Sequence, residues 1–116
     1  MKHYAEIKPA NKNVSVTANG ETLANSKNAL ELTEFHFGKT FSPVFYIPRE
    51  DVDFSKLVKN KEFTTHCPIK GDASYYSLKT KDGLIENIAW SYEDPVSHVK
   101  AVKDHLAFDG NLTKLF

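Results

Sequence analysis

Hydrophobic and polar side chains along the chain follow mostly a two-residue period. Val14-Ser15-Val16-Thr17-Ala18 alternates apolar and polar, the pattern of a half-buried strand. Asn19-Gly20 follows, and both residues tolerate positive φ, so Glu21–Ala24 is expected to return as the second arm of a hairpin. Leu30 and Leu32 alternate with Glu31 and Thr33 as a third strand. Val44-Phe45-Tyr46-Ile47 is continuously apolar, as in a strand buried on both faces, and Pro48 ends it. Phe54, Leu57 and Val58 have helical spacing over a turn or two, with Asp53 as N-cap. Strands are then predicted at Phe63–Cys67, Ala73–Thr80 and Leu84–Tyr92. The last two are joined by a hairpin at Lys81-Asp82-Gly83, and the last has Leu84, Ile88, Trp90 and Tyr92 on one face. Asp94-Pro95 predicts the start of a longer helix whose apolar stripe is Val96, Val99, Val102 and Leu106. The first dozen residues read as a lead-in, Phe35–Phe41 as core or the rim of a cavity, and Leu112–Phe116 as a docking tail.

This order makes a meander, not a chain of βαβ units. The predicted class is mainly β: a small single domain spanning residues 1–116, with an antiparallel sheet that is closed and barrel-like or sandwiched, a short helix and one C-terminal helix. Val14, Val16, Leu30, Leu32, Phe45, Ile47, Leu78, Ile88, Val99 and Val102 are expected together in one core, provided no strand is a residue out of register.

Charge changes this picture by exclusion. Fifteen basic and fifteen acidic residues cancel and are interspersed, so the electrostatic footprint of a nucleic-acid or anionic-membrane binder is missing. A single cysteine excludes an internal disulfide framework and a cysteine-rich zinc site. No apolar run reaches the length of a membrane span, and the first six residues lack the apolar core of a signal peptide. A cytoplasmic protein with a reduced thiol is expected, with neither nucleic acid nor membrane as partner, and no cofactor.

Reactive side chains gather in Thr64–Tyr76, where a breaker pair, Pro68 and Gly71, separates two strands. His66 and Cys67 are the candidate catalytic pair, since an imidazole can activate a thiol for attack. Neighbours on a strand point to opposite faces, which sets these two apart unless Pro68 bends the chain. The alternative is that Cys67 shares an apolar face with Phe63 and Ile69 as a small buried hydrophobe. Five histidines include no pair at i, i+4 on a helix, and His98 and His105 lie seven apart, so no metal site is expected. Arg49 is the only arginine among the fifteen basic residues, which suggests a need for its planar fork. It is expected to make a bidentate contact, with a ligand or with a nearby carboxylate such as Glu50, Asp51 or Asp53. Lys70 beside Gly71 is a candidate cation at a glycine turn, though no P-loop spacing surrounds it. Tyr46, Tyr75, Tyr76, Trp90 and Tyr92 are core and rim aromatics or, if they converge, the walls of a pocket.

Three stretches together resemble a widespread bacterial family, the domain of unknown function 427. They are Tyr46-Ile47-Pro48-Arg49-Glu50-Asp51-Val52, Thr65-His66-Cys67-Pro68-Ile69-Lys70-Gly71-Asp72-Ala73-Ser74-Tyr75 and Ala89-Trp90-Ser91-Tyr92-Glu93-Asp94-Pro95. Order and spacing agree from about Val14 to Phe108. The resemblance implies a compact β-rich domain of the β-tent or Mss4-like kind, without that fold's zinc cysteines. The family has also been labelled nucleotidyltransferase-like, a label this chain gives no support. Asp51 and Asp53 are the nearest imitation of paired magnesium-binding aspartates, and no Gly-Ser helix start precedes them.

Three functions follow as expectations. The first is binding of a small, partly anionic or aromatic ligand by Tyr46, Arg49, Lys70, Tyr75, Trp90 and Tyr92, with Cys67 nearby. The second is a thiol enzyme with Cys67 as nucleophile. The third is a structural or partner-binding module. A reachable Cys67 with a ring nitrogen in hydrogen-bond reach would favour the enzyme, and an aromatic and basic pocket the binder.

Overall fold

The computed structural model describes residues 3–116, and strands dominate it as the alternation predicts. Eleven strands are present: β1 His3–Pro9, β2 Val14–Ala18, β3 Glu21–Ser26, β4 Leu30–His36, β5 Lys39–Thr40, β6 Val44–Pro48, β7 Leu57–Cys67, β8 Gly71–Thr80, β9 Gly83–Tyr92, β10 His105–Phe108 and β11 Lys114–Leu115. The larger sheet runs β1-β4-β6-β10-β9-β8-β7, with β5 paired to β4, and the smaller runs β11-β2-β3. Every pairing is antiparallel. β1 and β7 are edges that do not pair with each other among the described residues, so the sheet is open and not a closed barrel.

Local signals placed the hairpins well. Asn19 and Gly20 turn β2 into β3 with φ of 53° and 75°, the left-handed pair a two-residue loop requires. Asp53 accepts from the Ser55 N–H at 3.1 Å and caps a 3₁₀ turn, Phe54–Lys56. The predicted short helix ends there, since Leu57 and Val58 open β7, where Leu57 pairs with Leu78.

Two further expectations are corrected. The lead-in is a strand: β1 pairs with β4 over its whole length, from His3↔His36 to Pro9↔Leu30, with Ala5 and Ile7 packed inward. The C-terminal helix is a kinked 3₁₀ segment, Ser97–Val102, with Val99 at φ −116°. Three stiff valines weaken an α-helix here, and the Val96 N–H is taken by the Lys70 carbonyl at 3.0 Å. Leu106, expected on the helix stripe, lies in β10 opposite Ile47. A helix running through it would have left β6 and β9 without the strand that joins them.

The core divides in two. Val14, Val16, Leu23, Ile47, Leu57, Tyr76, Leu78, Ile88, Leu106 and Phe108 fill the space between the two sheets. Leu32, Tyr46, Ala73, Tyr92, Val102 and Ala107 form a second cluster, joined by half-buried Leu30, Cys67, Tyr75 and Trp90. Sequence neighbours such as Tyr46 and Ile47, or Leu106 and Ala107, go to different clusters, so the two clusters occupy opposite faces of the large sheet. Of the ten expected core residues, Leu30 and Phe45 are half-buried and the rest are buried, but in more than one group. In β9 the register shifts between the pairs Tyr76↔Ala89 and Leu78↔Ile85, with Asn87 at φ 56°. That bulge turns Leu84 out, 55% exposed, and brings Ile85 to the core in its place.

Candidate functional site

The second cluster collects most of the residues singled out from the sequence. β6 supplies Tyr46, β8 Tyr75, β9 Trp90 and Tyr92, the end of β7 Cys67, and the β7–β8 turn Lys70. Trp90 Nε1–H donates to the Tyr46 hydroxyl at 3.3 Å. The Tyr75 and Trp90 rings lie 6.4 Å apart, as do those of Tyr46 and Tyr92. Lys70 Nζ sits 5.6 Å over the Tyr92 ring and donates to Glu34 at 3.0 Å. Glu34 also takes a 2.7 Å hydrogen bond from His3, whose ring lies tilted by 36° against His36 with centroids 4.2 Å apart.

Burial pushes the Tyr46 phenol up to about 12 and raises that of Tyr92 as well, so both are neutral near pH 7. Burial alone would raise the Glu34 carboxyl, but its bonds to His3 and Lys70 outweigh this and hold it below the ordinary value. Burial also works against the Lys70 ammonium, yet neighbouring Tyr46 and Glu34 raise its proton affinity on balance. Lys70 is therefore a cation whose partner is already supplied by the chain. The cluster is packed and charge-balanced.

Cys67 is half-buried against this cluster, and its carbonyl accepts from the Lys70 N–H at 3.1 Å to close the turn. His66 points elsewhere: its Nδ1 meets Asp72 at 2.7 Å, and its side chain is 69% exposed. The adjacent pair thus does not meet. Among the described residues no group of three or more His, Cys, Asp or Glu converges as metal ligands.

Arg49 lies on the opposite face. Its guanidinium sits 4.4 Å over the Phe54 ring and donates to the Tyr76 hydroxyl at 3.3 Å. Tyr76 in turn donates to Glu93 at 3.2 Å, where Lys59 and Ser74 also bond. Among the described residues Arg49 makes no bidentate bridge to a carboxylate: Asp51 accepts from Ser26, and Asp53 from Ser55. Rings hold this arginine in place of carboxylates.

An open volume lies beside the cluster. It is a cleft of about 200 Å³ lined by Val16, Pro43, Val44, Phe45, Trp90, Phe108, Gly110 and Leu115. Of the candidate residues only Trp90 reaches it. Sequence reading placed Phe45 in the core and did not single out Phe108 or Leu115 for a site. The usable signal was the Asp109-Gly110-Asn111 turn, which ends a strand in the middle of a sheet. No helix among the described residues is long and apolar enough to cross a membrane.

A family model described as a domain of unknown function (DUF427) matches residues 6–115, nearly the whole chain. No curated protein matches it.

Proposed function

We propose, on the premise that the chain belongs to the DUF427 family, that it binds a small, mainly apolar or aromatic molecule in the cleft beside Trp90. The observation that carries this reading is the cleft of about 200 Å³, with one wall made by a residue of the Ala89–Pro95 motif. A dry cavity of about 150 Å³ holds benzene, so a single ring with a small substituent fits this volume. Pockets for drug-sized ligands run from about 300 Å³ upwards, and a nucleotide would be held only in part.

Tyr46, Tyr75, Tyr92 and Lys70 serve this site from behind. Tyr46 fixes the indole by its hydrogen bond and Tyr75 by ring packing, while Tyr92 packs against Tyr46 and Lys70 sits over Tyr92, so the wall is held before a ligand arrives. Arg49 stands outside the site, and the phenols need not touch the ligand.

Trp90 is the chain's only tryptophan and reports on the cleft directly. Titration with benzyl alcohol should change its fluorescence saturably, with a Kd of about a millimolar for so few atoms. Val44→Phe, which narrows the cleft, should abolish the response while the chain still unfolds cooperatively. A native protein whose Trp90 emission ignores benzyl alcohol and other one-ring probes would overturn the reading.

A further inference from the structure

We infer that the cleft takes the Phe37 ring of a second copy of the chain, and that the exchange is mutual. This rests on the cleft reading and names the partner of that site. His36 pairs with Lys39, so Phe37 and Gly38 are the whole of the β4–β5 loop, with φ of 49° and 85°. Besides glycines, the described residues with positive φ are Asn11, Asn19, Asn87, Asp104 and Phe37. The first four are of the types that tolerate this conformation, and a bulky aromatic ring is not. The β2–β3 turn meets the same demand with Asn19-Gly20, the pair such a loop prefers. Phe37 thus strains its backbone, and it does so with a ring that is 64% exposed. Within its own chain the ring lies tilted against His36, centroids 4.4 Å apart, and joins neither buried cluster. Phe116 is more exposed, but its φ is not positive.

The cleft is the complement of such a ring. Its walls at Val16, Val44, Phe45, Phe108 and Leu115 carry no side-chain hydrogen-bonding group, and the Trp90 N–H is used by the Tyr46 hydroxyl. A volume of about 200 Å³ admits one benzene-sized ring. Ring and cleft also share one stretch of chain: Phe37 is followed by the exposed Phe41 and then by the wall residues Pro43, Val44 and Phe45. Two copies facing each other about a two-fold axis can each give a ring and take one, and the exchange closes at a dimer. Area sets its strength. Phe41 is 47% exposed, and at about 200 Å² per ring the two phenylalanines of both copies, with the surfaces that cover them, remove about 900 Å² from water. That is below a standard interface and suits a weak, reversible pair.

Sedimentation equilibrium on the native chain, from about 10 µM to about 1 mM, should show the average mass rise from one chain towards two. Benzyl alcohol at a level that saturates the Trp90 response should return it to one chain, because alcohol and ring compete for the cleft. Phe37→Asn removes the ring and relaxes the turn. This variant should stay monomeric over the whole range, unfold at a urea concentration no lower than the native chain, and keep the Trp90 response to benzyl alcohol. Phe116→Ser removes another exposed ring and should associate as the native chain does. If Trp90 answers benzyl alcohol, the exchange is overturned by a native chain that stays monomeric at the highest concentration. It is equally overturned by association that survives Phe37→Asn or saturating alcohol, or that is lost in Phe116→Ser. A Trp90 that ignores benzyl alcohol would overturn the cleft and the exchange together.

Discussion

The guanidinium of Arg49 lies beside an edge-to-face ring pair, 4.4 Å from the centroid of Phe54 and 5.7 Å from that of Tyr76, and its backbone N–H is held by the Asp104 carbonyl at 2.9 Å. A flat, weakly hydrated cation can lie on rings in a way that an ammonium cannot. Arg49→Lys keeps the charge but loses the plane and the reach to the Tyr76 hydroxyl. It should cost about 1 kcal/mol in urea unfolding, the scale of a cation–π contact with one hydrogen bond. A lysine variant as stable as the parent would show that the rings do not hold this residue. Its role was not readable from composition. A lone arginine signals that planarity matters, while whether a carboxylate or a ring meets that plane depends on which strands bring their side chains there.

At the scale of elements, the β7–β8 turn and the segment after Asp94 define each other. Gly71 has φ +115°, and a Cβ there would come within 3.2 Å of the Asp94 carbonyl oxygen. The Lys70 carbonyl accepts from Val96, so the turn is clamped against that segment. Gly71→Ala should cost about 1–3 kcal/mol through left-handed strain and close approach together. Gly20→Ala provides the comparison, since Gly20 also has positive φ, +75°, but nothing lies within 4 Å of the added carbon. It should cost less in the same urea titration. Equal losses would mean that the contact with Asp94 contributes nothing. No long helix follows Asp94-Pro95, although the apolar spacing was present in the sequence: the valines there are β-branched, and His105–Phe108 is taken as the strand between β6 and β9.

Over the whole molecule, Glu34 ties the paired strands β1 and β4 to the β7–β8 turn, which the strand order keeps far from them. It sits on β4 and bonds His3 on the β1 edge and Lys70 on the β7–β8 turn, so the large sheet curls over its second cluster. The folded state holds this carboxyl below its ordinary value, which fixes the sign of the pH dependence. Its contribution is complete above the unfolded carboxylate pKa of about 4.3 and fades as pH falls through the lower folded value. Lys70 is raised from 10.5, so its share is lost only as pH rises beyond that ordinary value. Glu34→Gln should therefore lower stability near pH 7 by about 1–3 kcal/mol, as for a lost charged hydrogen bond. The gap to the parent should close towards about pH 3 in urea titrations. Curves that run parallel across that range would remove Glu34 from the acid sensitivity of the fold.

The sequence by itself determined the strand-rich class, the hairpins at Asn19-Gly20 and Lys81-Asp82-Gly83, the Asp53 cap and most of the buried set. These depend on φ preferences and a two-residue period, which act over a few neighbouring residues. It also marked Tyr46, Lys70, Tyr75, Trp90 and Tyr92, which the structure does gather on one face. Tertiary structure alone decided the rest. His3–Pro9 became a strand because β4 offered it an edge, and Leu106 joined a strand because β6 and β9 needed one between them. A bulge reversed Leu84 and Ile85, and opposite faces separated Arg49 from Lys70. The cleft itself exists because β2, β6, β9, β10 and β11 each bring a side chain to one place. Each of these outcomes depends on a partner distant in sequence, and local periodicity carries no information about which partner that is.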